Sequence, residues 1–244
     1  MTISRIFQNI SLAINHTLCL SDPASHHVAR VLRSKIGDTI TLFNGQGGEY
    51  LCHITHIGKK QVTVTINEFI DRQTESPLEL YLIQGISRGE KMDYTIQKAV
   101  ELGVKKIIPL FTERSTVKLD KERREKRLLH WQSIAIAACE QSGRNTIPDI
   151  LLPESFENRL SSLNVDVGFV LSPHTHSPLS AITIQHNQRV ALLIGPEGGL
   201  THQEIQDALL SKFHPLSLGP RILRTETAAV AAITALQCRF GDMK

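Results

Sequence analysis

Two stretches near the C-terminus hold the residues best placed to do chemistry: GPEGGL at 195–200 and SLGPRILRTETA at 217–228. The first sets Gly195, Gly198 and Gly199 around Pro196 and Glu197. Glycines admit close backbone approach and unusual φ, and proline removes a donor and stiffens the loop. Such a loop can form a rigid backbone wall for a flat ligand; taken alone, it reads more readily as an ordinary strand–turn–helix junction. Glu197 in its middle would repel a pyrophosphate and favours a neutral or cationic ligand. The second stretch places Arg221 and Arg224 three residues apart, ahead of a helix begun by Thr225 or Glu226. Two guanidinium groups beside a cleft suit phosphate or base recognition. The competing reading pairs them with Glu197, Glu226 or other structural carboxylates.

Neither stretch spells GxGxxG or GxxxxGK[ST], so the dinucleotide and P-loop fingerprints are missing. A nucleotide-dependent enzyme of Rossmann type is therefore the weaker reading. Thr201 and Glu204 have capping-box spacing at the head of the helix after GPEGGL, worth roughly 1 kcal/mol to it.

These loops need strands to carry them. VLSPHT (170–175), LLIGPEGG (192–199) and LSLGPRIL (216–223) each run from an apolar strand into Gly, Pro or Ser. Loops at the carboxyl ends of neighbouring parallel strands can meet in one cleft. Alternation supports such a sheet. LELYLIQGI (78–86) and KKIIPLFT (105–112) read as strands, with a helix between them carrying Met92, Ile96, Ala99, Val100 and Gly103. A long helix spans 121–142, with Leu128, Trp131, Ala135 and Ala138 on one face. Strands near 149–152, 167–172, 189–195 and 214–218 then alternate with helices near 155–163, 178–183, 201–213 and 225–240. This pattern predicts a parallel sheet covered by helices. The last helix is Ala-rich and apolar nearly all round, so it must be buried on several faces, with the sheet on one side and room for a second subunit on the other.

The first seventy residues differ. TITLFNG (39–45), EYLCHIT (49–55) and QVTVTINEF (61–69) predict short strands joined at Asn44-Gly45, Gly47-Gly48 and Gly58-Lys59-Lys60. One helix precedes them, with Asp22 as N-cap, Pro23 at its first position and an apolar stripe of Val28, Val31 and Leu32. The polar run DRQTESP (71–77) is the best linker. The expected division is a mostly β unit over 1–72 and an α/β unit over 76–244.

The 244 residues carry a net charge of +3, which permits a polyanionic partner without demanding one. KERREKR (121–127) holds five basic and two acidic residues and is as readily a solvated helix face as a binding patch. Cys19, Cys52, Cys139 and Cys238 form no CxxC pair and no zinc pattern with histidine, so no metal is expected. The adjacent pair His26 and His27, and His174 with His176, also lack metal-ligand company. Gln8, Asn9, Asn15 and His16 break any signal-peptide run, and no apolar run reaches membrane-span length, so a cytoplasmic protein is expected.

The run from GPEGGLT through SLGPRILRTETAA resembles the signature of the RsmE family, the uracil-N3 methyltransferases of small-subunit (16S) ribosomal RNA, of the SPOUT class. HHVARVLRSKIGDTITLFNG (26–45), KMDYTIQKAVELGVKKIIPLFTERS (91–115) and EQSGRNTIP (140–148) resemble further family blocks, so the likeness covers nearly the whole chain in order. The resemblance implies an N-terminal PUA-like β-barrel for RNA and a C-terminal α/β domain with a trefoil knot, working as a homodimer. It implies S-adenosylmethionine as cofactor, lodged among Leu171, Ser172, Pro173, Ile194, Gly195, Pro196, Glu197, Gly198, Leu218, Gly219, Ile222 and Leu223.

The implied reaction transfers a methyl group to a uracil nitrogen that is protonated at neutral pH. Arg221 or Arg224 could stabilise charge on the uracil oxygens, and Glu197, Glu226 or a water could take the proton. The catalytic candidates are Arg221, Arg224 and Glu226. Arg5, Arg30 and Arg33 fall in matching blocks and are candidate RNA contacts, with Arg30 and Arg33 three apart on one helix; Arg114 and Arg144 are weaker candidates. The partner the resemblance implies is small-subunit ribosomal RNA or the assembled subunit. Two other readings stay open: methylation of another RNA such as transfer RNA, and a non-catalytic RNA-binding protein.

Overall fold

The computed structural model describes residues 3–117, 119–172, 175 and 177–244. The chain divides into two compact units, Met1–Glu75 with Cys139–Ile147, and Ser76–Ala138 with Pro148–Lys244. The return of 139–147 to the first unit has no counterpart in the sequence-based division at 72–76.

The first unit is a five-stranded sheet. Strands β1 (Arg5–Phe7), β2 (Thr17–Cys19), β3 (Thr39–Phe43), β4 (Glu49–Ile57) and β5 (Val62–Ile70) lie in the order β1-β3-β4-β5-β2. The meander β3–β4–β5 is antiparallel, as its glycine-marked turns predict, and β1 adds to β3 in parallel. Period-two alternation on β5 turns Val62, Val64 and Ile66 into a core shared with Ile6, Ile40, Leu42 and Ile54. The N-cap position of helix α1 (Asp22–His26) is Ser21, not Asp22, with no side-chain capping bond, and Pro23 sits in its first turn. It then widens into a π turn over His27–Val31. The wider turn changes the phase of the side chains. Val28 stays buried, but Val31 and Leu32 are exposed, so the expected apolar stripe does not form.

The second unit is a seven-stranded parallel sheet. Its strands are β6 (Glu79–Gly85), β7 (Lys106–Phe111), β8 (Asp149–Ile150), β9 (Glu154–Ser155), β10 (Val167–Leu171), β11 (Arg189–Ile194) and β12 (Phe213–Leu216). The order is β12-β10-β11-β6-β7-β8, with β9 also paired to β7. The central strands are buried apolar runs because helices flank the sheet. Helices α2 (Glu90–Glu101), α3 (Lys121–Ser142), α4 (Phe156–Ser162), α5 (His202–Leu210) and α6 (Thr225–Phe240) match expected positions, whereas 178–183 holds only a 3-10 turn over Leu179–Ala181. On α2, Met92, Ile96, Ala99 and Val100 are buried. On α3, Trp131, Ala135 and Ala138 are buried. Helix α6 packs on α2 and β11. Its Gln237 is buried and bonded to Ser76 (2.7 Å) and to the Leu102 carbonyl (2.8 Å).

After β10 the chain steps to β11 on one side, then crosses to β12 on the other. That reversal is a topological switch point, where an open parallel sheet leaves a crevice beyond its strand ends. Among the described residues, no helix is long and apolar enough to cross a membrane.

Candidate active site

The switch point opens into a cavity of about 600 Å³. The end of β10 contributes Leu171 and Ser172; the end of β11 and the loop after it contribute Ile194, Gly195, Pro196, Glu197 and Gly198; the segment after β12 contributes Leu218, Gly219, Ile222 and Leu223. Arg221, Arg224 and Glu226 line it too. Thus the three strand ends singled out from sequence do meet. Pro173, His174 and His176 lie outside the described residues.

The wall after β11 depends on glycine for space. A Cβ on Gly195 would sit 2.7 Å from the Leu200 nitrogen and 2.8 Å from the Gly199 carbonyl carbon, both backbone atoms. Gly219 has φ +100, a conformation that L side chains rarely adopt. The loop then enters α5 through the expected capping box: Thr201 accepts from the Glu204 N–H and Glu204 accepts from the Thr201 N–H. Glu204 also accepts from the Glu113 N–H at 2.8 Å, which ties this helix start to the segment after β7.

Three further grips hold the loop. Arg114 donates to the carbonyls of Gly198 (3.1 Å) and Leu200 (3.4 Å). Glu197 accepts from the Arg88 N–H (3.1 Å) and pairs with Lys91 (3.3 Å). Thr225, the first residue of α6, donates to the Gly195 carbonyl at 2.6 Å. Partial burial pushes the Glu197 carboxyl upward, but the backbone N–H groups of Glu197 and Arg88, together with Lys91, outweigh it and hold the group below its ordinary value. A carboxylate so held is a poor proton acceptor.

Arg221 and Arg224 face the opposite way in their chemistry. Both are exposed, and neither side chain has an ion-pair or hydrogen-bond partner among the described residues. The expectation that they could be absorbed by Glu197 or Glu226 is not met, because Glu197 is taken by Lys91. Between them Ile222 is 80% exposed at the rim. Glu226 is half-buried, and its Oε2 is buried without a partner among the described residues. An orphaned buried oxygen calls for a donor from elsewhere. A glycine-walled cleft of this volume, with backbone groups, apolar Leu171, Ile194 and Leu223, and one orphaned carboxylate oxygen, fits a nucleoside bearing a cationic tail.

The candidate RNA contacts divide. Arg30 and Arg33 are exposed and have no ion-pair partner among the described residues. They do not share a helix, however. The helix ends with the Ser34 N–H on the Val28 carbonyl (3.1 Å), leaving Arg33 at the left-handed capping position with φ +54. Arg5 and Arg144 are engaged inside the first unit. Arg5 pairs with Glu49, donates to Asn145 and to the Arg144 carbonyl, and stacks over Phe43 at 4.9 Å. Arg144, only 3% exposed, grips Glu75. These contacts fasten 144–145 to β1, β4 and the linker. Within KERREKR, Arg123 pairs with Asp120, Lys126 with Glu122, and Arg124 lies over Phe111. Sequence reasoning missed Gln84, Lys91 and Thr225. Only Gln84 left a signal, as a polar residue in an apolar strand.

Comparison with known proteins agrees with this geometry. The family described as RNA methyltransferase domain matches residues 74–237, and the RNA methyltransferase PUA domain matches 20–67. Ribosomal RNA small subunit methyltransferase E of Buchnera aphidicola is 40% identical over 99% of this chain and 96% of its own length. The Bacillus subtilis protein of the same name is 34% identical over 90% and 89%. The Neisseria gonorrhoeae enzyme of that name, solved bound to S-adenosylmethionine, is 38% identical, covers both chains fully and superposes with a TM-score of 0.92. A Legionella pneumophila chain solved with the same cofactor is 42% identical over 99% of this chain and all of that one, with a TM-score of 0.96. On the span and strength of these matches, the chain belongs to the RNA methyltransferase family that includes ribosomal RNA small subunit methyltransferase E.

Proposed function

We propose that this protein methylates N3 of a uridine in small-subunit (16S) ribosomal RNA, using S-adenosylmethionine. The observation that carries the reading is the switch-point cavity edged by two unpaired arginines, in a chain of this family. The residues fit the cofactor: Leu171, Ser172, Ile194–Gly198, Leu218, Gly219, Ile222 and Leu223 would hold it, chiefly through backbone and apolar contacts. When bound, it supplies an activated methyl group on a good leaving group.

The chain's own residues then have three tasks. The glycine loop fixes orientation, and well-oriented encounters account for on the order of 7–11 kcal/mol of barrier. Arg224, with Arg221 beside it, stabilises the negative charge that develops on the uracil oxygens. Glu226 takes the N3 proton, because its orphaned Oε2 has acceptor capacity to spare whereas Glu197 is committed to Lys91 and Arg88. Arg30 and Arg33 supply phosphate contacts from the first unit, and Arg114 adds one at the cavity rim. The enzyme works in the cytoplasm as a knotted homodimer. Half-exposed Val230, Ala231 and Ala235 on α6 support the dimer as surface a second copy would cover.

Mass-spectrometric mapping of ribosomal RNA with and without the protein tests the reading. One missing methyl on a small-subunit uridine is the expected result; an unchanged small-subunit map with a lost transfer-RNA methyl would redirect it. For Arg224, single-turnover methyl transfer at saturating RNA should collapse in Arg224→Ala, and a near-normal rate would remove it from the mechanism.

A further inference from the structure

Strand β6 is apolar and buried through Leu80, Leu82 and Ile83, yet its penultimate residue is Gln84, which is 0% exposed. The two N–H groups of its amide Nε2 are shared among three acceptors, Thr225 Oγ1 (2.9 Å), the Gly85 carbonyl (3.0 Å) and the more distant Gly195 carbonyl (3.3 Å). Its Oε1 is buried and has no partner among the described residues. A leucine or methionine would fill this space without stranding a carbonyl oxygen, so packing does not explain the glutamine. The amide is there for what its N–H groups hold.

The direction of the bonds is dictated by chemistry. Nε2 can only donate, so Thr225 Oγ1 must accept from it and spend its own proton on the Gly195 carbonyl, 2.6 Å away. The hydroxyl therefore joins two segments. Gly195 belongs to the loop after β11 that forms one wall of the cavity. Thr225 lies between Arg224 and Glu226, the two residues assigned to charge and proton handling. Among the described residues, no other hydrogen bond links 221–226 to the loop at 195–200.

We infer that Gln84 and Thr225 are positioning residues that set Arg224 and Glu226 in register with the cofactor loop, and that their role is in turnover rather than in cofactor affinity. The inference rests on the proposed methyltransferase reading. The loop has independent supports in Arg114 and in Lys91 with Glu197, so it should keep its shape when the Thr225 hydroxyl is lost. The start of α6 has no such reserve, since Arg224 as its N-cap makes no side-chain capping bond.

The experiment compares full-length Thr225→Val, Thr225→Ser and Gln84→Met with the wild type. Cofactor affinity is read by calorimetry, methyl transfer by single turnover at saturating cofactor and RNA, and folding by thermal melting. Thr225→Val and Gln84→Met should slow transfer about tenfold or more while changing the cofactor Kd by less than about threefold. Thr225→Ser, which keeps the hydroxyl, should recover most of the rate. Unchanged transfer, a matched loss of affinity and rate, or unfolding of both variants overturns the inference. A wild type that neither binds the cofactor nor methylates RNA would instead overturn the proposed function.

Discussion

Gly195→Ala is the sharpest perturbation of the cavity wall. The new methyl would lie 2.7 Å from the Leu200 nitrogen, 2.8 Å from the Gly199 carbonyl carbon and 3.1 Å from the Gly199 Cα. Ordinary contact begins near 3.5 Å, so the loop must open by about 0.8 Å. It cannot open without loss, because Gly195 is held by Thr225 at one end and Gly198 and Leu200 by Arg114 at the other. Overpacking of this kind costs about 1–3 kcal/mol. At about 2–4 °C per kcal/mol for a chain of this size, melting should fall by about 2–12 °C. Displacing a positioned wall by a sizeable fraction of an ångström also reaches the ligand, at about 10–100-fold in affinity or rate. Calorimetric titration with S-adenosylmethionine, beside far-ultraviolet circular dichroism, checks both. Gly37→Ala is the control: its φ of +93 makes alanine strained, but nothing lies within 4 Å and it is remote in sequence from the cavity lining. It should cost stability without touching cofactor affinity. If Gly195→Ala binds the cofactor as the wild type does, the loop is not the wall it is taken to be.

The arginines of the first unit should separate by assay. Arg5→Ala strands the buried Glu49, whose remaining partner is Arg72 at 3.5 Å, and should cost about 3 kcal/mol in urea unfolding. Arg33→Ala should leave stability nearly unchanged but lower the slope of log affinity against log salt by about 1; the reverse pattern would exchange their roles. At acid pH, Asp166 is informative because its hydrogen bonds from Arg189 hold its carboxyl down to about 2. Its contribution is present above the unfolded value near 4 and is lost as pH falls towards 2. Denaturant melts between pH 5 and 2 should show a shallower acid loss in Asp166→Asn; an identical profile would mean that the pair does not couple to folding.

Much of the architecture was legible because period and punctuation carry it. The alternation of Val62, Val64 and Ile66 and the apolar runs of β6 and β11 are direct consequences of which faces are covered. The three cavity loops were legible for a related reason: each breaks a strand with Gly, Pro or Ser where the backbone must turn. The first helix was not. Its residues spell an amphipathic stripe at 3.6 spacing, and nothing local announces that a π turn will rotate Val31 and Leu32 outward or that an arginine will take the left-handed cap. Short edge strands such as β1 and β2, three residues each, are set by pairing with distant partners and carry too few residues for a period to show.

The charged residues show where such reading fails in kind. Arg5, Arg30, Arg33 and Arg144 look alike in sequence, and proximity to a matching block cannot tell a phosphate contact from an internal ion pair. The difference lies in whether a carboxylate meets them after folding. Glu49 and Glu75 meet two of them from 44 and 69 residues away. The same holds for Glu197 and Glu226. One is neutralised by Lys91, more than a hundred residues upstream, while the other keeps an oxygen without a partner among the described residues. Chemical capacity at this site is what remains after the fold has satisfied its own polar groups. Arg221, Arg224 and Glu226 stand out for that reason, whereas Thr225, its hydroxyl committed to Gln84 and Gly195, stayed silent until its partners were known, and Gln84 showed only as a polar residue in an apolar strand.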